Sequence, residues 1–164
     1  MITRILRHLL TGQWAVRRQF PTVELTLIEQ AIQQSEMRHG GEICFVVEAA
    51  LPMIALLKNQ SVRERALEVF SRLRIWDTEH NNGVLIYLLL ADRNVEIIAD
   101  RGIHDKVNPT EWEDICRAME ASFQQQQFAA GTVDGIERIT TLMQRYFPAR
   151  PDAANAVADR PVIL

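Results

Sequence analysis

At 164 residues, 48% apolar and 24% charged, the chain has the size and balance of one soluble globular domain with room for a core. Its net charge of −3 hides an asymmetry: residues 1–20 carry Arg4, Arg7, Arg17 and Arg18 with no acid, so the rest sums to −7. An acidic body argues against general nucleic-acid binding, two cysteines are too few for a disulfide framework, and the longest apolar stretch, Val84 to Ala91, is too short to cross a bilayer.

Residues 1–20 read as a basic amphipathic segment, helical with an interruption at Gly12, whose apolar residues are Leu6, Leu9, Leu10, Trp14 and Phe20. Ile5 to Leu10 is broken by charge and makes no secretory signal, so a cytoplasmic protein is expected, at most peripheral on the inner membrane. Pro21-Thr22 punctuates. Leu25, Ile28, Ala31 and Ile32 then follow helical spacing up to a glycine stop at His39-Gly40-Gly41. Glu42 to Ala49 reads as the first strand, and Leu51 to Leu57, holding Pro52, as a short helical turn. Ser61-Val62-Arg63-Glu64 is a capping box opening a helix that ends near Trp76. Gly83 to Ala91 reads as a strand buried on both faces, and Asp92-Arg93-Asn94 as a turn into a second, antiparallel strand, Val95 to Asp100. Asn108-Pro109 starts a helix with Trp112, Ile115, Cys116, Met119 and Phe123 as its buried stripe. Gly131 breaks the chain, and a last helix from Val133 stops at Pro148. Residues 148–164 read as a flexible tail after a domain spanning residues 21–147.

The order implies an α/β fold: a three-layer α/β/α sandwich whose small mixed sheet has one parallel crossover and one hairpin, with helices on both faces. No phosphate-binding loop, nucleophile elbow, HExxH or CxxC occurs. One polar edge remains. The hairpin brings Asp77, Glu79, His80, Asn81 and Asn82 beside Asp100, Arg101, His104 and Asp105. Asp77, Asn82, Asp100 and Asp105 supply oxygen ligands suited to calcium or magnesium, and Arg101 with His80 and His104 could meet a phosphate. The opposite edge, with Glu48 and Asp92-Arg93, offers fewer polar groups. His8 and His39 have no evident partner in the sequence and read as solvated or helix-end residues, and Cys44 and Cys116 read as small buried hydrophobes.

Several stretches taken together resemble the TPM-domain family, named after thylakoid-lumen and photosystem-repair members. They are GEICFVVEA, ALEVFSRLRIW, NNGVLIYLLL, ADRNVEI and DRGI, followed by Phe128, Gly131, Gly135 and Ile136. The resemblance covers about Glu42 to Phe147. It implies an α/β/α sandwich, divalent-cation binding, and either weak acid-phosphatase activity or a role as a partner in membrane-complex assembly. The chain departs from the family pattern where Gly-Leu-Glu becomes Gly102-Ile103-His104 and Thr-Asp becomes Asn108-Pro109, which removes two acids from the polar edge. No stretch of the sequence reads as the family's signal or membrane anchor, so neither is expected. In these respects it is similar to a short bacterial subgroup.

Three functions are therefore weighed, the third a cytoplasmic ion or small-anion sensor that uses the polar edge without turnover. The first is a non-catalytic interaction module for a membrane-associated protein partner, with residues 1–20 free to touch a membrane. The second is a weak divalent-cation-dependent acid phosphatase, with Asp77 and Asp100 as ligands, Arg101 holding phosphate and His80 or His104 as proton donor.

Overall fold

The computed structural model describes residues 2–149 and 155–164. The chain opens with α1 (Ile2–Leu10) and α2 (Gln13–Gln19), separated at Thr11-Gly12 as expected. Pro21 ends α2 and stands at the cap of α3 (Thr22–Glu36), which stops before the His39-Gly40-Gly41 turn. β1 (Glu42–Glu48), the short α4 (Met53–Leu57) and α5 (Val62–Arg72) follow. The capping box of α5 is complete: Glu64 N–H donates to Ser61 Oγ at 3.1 Å, and Ser61 N–H donates to Glu64 Oε2 at 2.7 Å. β2 (Gly83–Leu89) and β3 (Asn94–Ala99) form the predicted hairpin.

β1 and β2 pair in parallel, Glu42 opposite Gly83 through Glu48 opposite Leu89, and every residue of both strands is buried. Both strands lie inside the sheet, whose order is β3-β2-β1-β4. Side chains alternate between two cores. Phe45, Val47, Ile86 and Leu88 pack with α2, α3, α7 (Pro109–Gln124) and α8 (Phe128–Tyr146). Cys44, Val46, Leu85 and Tyr87 pack under α4 and α5. The fold is thus the mixed α/β architecture read from the sequence.

Three details differ from the sequence reading. Gly131 does not break the chain: α8 begins five residues before Val133 and carries both Gly131 and Gly135 in its interior. Their missing side chains let α7 and α8 close, since a Cβ at Gly135 would stand 2.4 Å from Met119 Sδ. The loop after Asp100 contains an unforeseen short helix, α6 (Arg101–His104), capped by the Asp100 carboxylate. The C-terminal residues, read as an aperiodic tail, return to the sheet: β4 (Val162–Ile163) pairs in parallel with Val46 and Val47 of β1. Residues 150–154 of that expected tail lie outside the described residues.

Candidate functional site

The polar edge singled out in the sequence lies at the amino ends of β1 and β2. Gly83 opens β2 directly against the loop after α5, where a Cβ would stand 2.2 Å from the Ile75 carbonyl oxygen. That contact packs residues 77–82 against the sheet end. On the other side Gly102 N–H donates to the Asn81 carbonyl at 3.1 Å, and Arg101 Nε donates to Asn81 Oδ1 at 3.2 Å. The fold therefore brings Asn81, Asn82, Asp100 and Arg101 together. Asn82 Nδ2 donates to the Gly40 carbonyl, and Asp100 Oδ1 accepts from Arg101 N–H at 2.7 Å. The remaining oxygen of each, Asn82 Oδ1 and Asp100 Oδ2, is buried with no hydrogen-bond partner. Orphaned buried oxygens are costly and call for an explanation.

The other predicted site residues are dispersed. Asp77 turns to Arg74 at 2.6 Å. Asp105 is exposed, beyond the end of α6. His80 lines a cleft of about 410 Å³ with Gly40, Gly102 and Lys106. His104 and Arg101 instead line a groove of about 810 Å³ along β3. Arg101 makes no ion pair with Asp100; its side chain reaches Asn81. Among the described residues, no group of three or more His, Cys, Asp and Glu side chains could hold a metal ion.

At the carboxyl ends of β1 and β2 the structure shows contacts that sequence reasoning missed. His8 is buried, not solvated. Its Nδ1 accepts the Leu51 N–H at 3.0 Å, so the neutral ring carries its proton on Nε2, which stands 3.1 Å from Asp92 Oδ1. Burial pushes the His8 pKa down, against the pull of Asp92. Arg4 Nε donates to Asp92 Oδ2 at 3.0 Å and Arg7 to Asp92 Oδ1. Asp92 thus draws in the polar side of α1. The apolar side is left outward, with Ile2 74%, Leu6 54%, Leu9 62% and Leu10 74% exposed, and Trp14 on α2 61% exposed. α1 is inverted relative to an ordinary surface helix, which turns its apolar stripe to the core. Only Ile5 leans on the core beneath. Next to it, a cleft of about 390 Å³ lies between Arg7, Thr11, Gln19 and the Asp92-Arg93 turn.

His39 is also buried, and its partners are Gly41, whose N–H donates to Nδ1 at 3.0 Å, and Ser35 Oγ, 2.8 Å from Nε2. Ser35 continues to Thr140 at 2.5 Å and Thr140 to the Ile136 carbonyl at 2.7 Å. Burial, helped by Arg38, lowers the His39 pKa to about 4, so the ring is neutral. With Nδ1 occupied and a proton on Nε2 it has no free lone pair to act as a base. Glu48 is likewise structural, held by Arg65 at 2.9 Å through both oxygens and by Tyr87 Oη at 2.5 Å. Burial raises the Cys44 and Cys116 thiols to about 12, away from thiolate chemistry.

A family model described as TPM domain matches residues 20–142. The chain is similar to the solved structure of the BA42 protein from the psychrophilic bacterium Bizionia argentinensis, with 31% identity, 86% of this chain and 92% of that one covered, and a TM-score of 0.76. It shares the fold of the N-terminal domain of a P. gingivalis protein, at 17% identity, 76% of each chain and a TM-score of 0.60. It also shares that of an N-terminal domain from Corynebacterium glutamicum, at 11% identity, 86% and 78% coverage, and a TM-score of 0.54. No curated protein matches the chain.

Proposed function

This chain belongs to the TPM-domain family, and we propose that it uses that fold as a non-catalytic interaction module, docking through α1 and α2 in a membrane-associated assembly. One observation carries the reading: Arg4 and Arg7 of α1 bond to Asp92 and His8 is buried beside it, while four aliphatic side chains face out. Covering four such side chains is worth on the order of 5 kcal/mol before the costs of association, so an uncovered stripe favours a partner. No helix among the described residues is long and apolar enough to cross a membrane. The test is cell fractionation of the full chain against a Leu6→Gln/Leu9→Gln variant. The wild type is expected in the membrane fraction and the variant, equally folded by circular dichroism, outside it. Identical distributions would sink the reading.

A second reading rests on Asn82 Oδ1 and Asp100 Oδ2. Two orphaned buried oxygens at the same end of the hairpin are the donor type a hard cation takes, and a calcium or magnesium ion there would polarise a phosphoryl oxygen. Arg101, which bonds to Asn81 on the same edge, would hold phosphate, and His80 or His104 would donate the proton. Asp100→Asn keeps the cap of α6 while removing the charge. On this reading calcium shifts amide signals of residues 80–82 and 100–104, and Asp100→Asn weakens that binding by at least roughly tenfold. Flat spectra through millimolar calcium and magnesium would remove it.

A further inference from the structure

We infer that the partner covering the outward face of α1 and α2 is an anionic lipid surface, an inference that rests on the docking reading above and names its occupant. Residues 2–20 hold four arginines and no acid, and a single carboxylate, Asp92, neutralises part of that charge. Arg17 and Arg18 remain exposed on α2, three and four residues after Trp14, on the helix whose indole is out in solvent. An exposed tryptophan flanked by arginines, beside a stripe of leucines, matches the depth profile of a bilayer boundary: indole at the headgroups, aliphatic chains below, guanidinium groups at phosphate.

The segment next in space adds apolar side chains. Arg4 donates to the Gln60 carbonyl at 3.3 Å and His8 accepts from Leu51 N–H at 3.0 Å, so α1 is tied to both ends of the segment that carries α4. α4 exposes Ile54 and Leu57, followed by exposed Lys58. A second copy of this chain would bring the same positive surface against itself and meet like charge, whereas an anionic bilayer meets it with the opposite sign.

The experiment is co-sedimentation of the purified full chain with vesicles of POPC alone and of equal parts POPC and POPG, read together with Trp14 fluorescence against a Trp14→Phe control. The wild type is expected to bind the mixed vesicles with a blue shift lost in the control, and to release them as salt rises. Arg17→Gln/Arg18→Gln is expected to weaken partitioning by roughly thirtyfold, the effect of two basic residues at an anionic surface, and Leu6→Gln/Leu9→Gln to abolish it. Binding that ignores POPG or the two arginines would overturn the inference. So would a failure to bind vesicles by a chain that still fractionates with cell membranes through Leu6 and Leu9; the docking reading would then stand with a protein occupant. A concentration-dependent dimer, dissolved by the leucine variant and blind to vesicles, would overturn it in favour of a second copy. Loss of both vesicle binding and membrane fractionation would remove both readings.

Discussion

Glu36 shows how a single titratable group can set a pH dependence. Its Oε1 accepts the Ile43 N–H at 2.7 Å at the start of β1. Burial, with Glu42 and Asp159 close by, raises its pKa to about 9 from the usual 4.5. The folded chain therefore keeps the proton at neutral pH while the unfolded chain gives it up. Stability from this group is fully present below pH 4.5 and is lost as pH rises toward 9. Gln at this position keeps the acceptor for Ile43 and a donor for Asp159 but has nothing to titrate. Glu36→Gln is expected to be about 1–2 kcal/mol more stable than the wild type at pH 7, the shift being discounted for partial exposure, with the gap closing near pH 4.5. His39 acts in a different window: its lowered pKa keeps stability above pH 6.5 and loses it as pH falls toward 4, equally in both proteins. Urea denaturation of the pair across this range measures the difference. A pH-independent gap, or a less stable variant at pH 7, would contradict the account.

At the scale of elements, what the sequence discloses depends on how far away each partner lies. The box at Ser61 and Glu64, and the Asn108 cap with its bond to Thr110 N–H at 3.1 Å, are local and were legible. So was the buried hairpin, because two-sided burial writes an unbroken apolar run into β2. Gly131 misled because a glycine inside a helix looks like a stop until the crossing helix that requires it is known. His8 misled for the same reason, since Leu51 and Asp92 are far from it in the chain; His39 bonds locally, to Ser35 and Gly41, and only the onward link from Ser35 to Thr140 is distant. Half of the candidate edge was readable, since Asn82 and Asp100 flank hairpin strands whose register the pattern fixes. Asp77 was not, because its direction is set by Arg74 at 2.6 Å. The outward face of α1 was readable as amphipathic but not as inverted, since the acid that turns it lies 85 residues from Arg7.

The whole molecule closes through its C-terminal segment. Ala156 and Val157 N–H groups donate to Glu42 Oε2 at 3.2 and 3.1 Å, at one end of β1. Leu164 N–H donates to the Val47 carbonyl at 3.0 Å, near the other end. Leu164 O then accepts from Gln13 Nε2 at 2.8 Å, tying the segment to α2. Residues 155–164 thus run the length of a strand whose seven residues are all buried, and they carry Val157, Val162 and Leu164 onto the core under α4 and α5. A chain ended at Arg160 loses β4, its ladder bonds and the burial of Val162 and Leu164, and is expected to be about 2–4 kcal/mol less stable. It also bares the backbone edge of β1, and an apolar open edge pairs with other copies. Denaturant unfolding should record the loss, and light scattering should record concentration-dependent self-association that the intact chain lacks. If the shortened chain keeps its stability and stays monodisperse, β4 is an ornament on the edge and β1 is protected by other means. If it weakens and associates, the last residues are the fourth strand of the domain, and the Gln13 contact makes them one of the supports that hold α2, and with it Trp14, on the body.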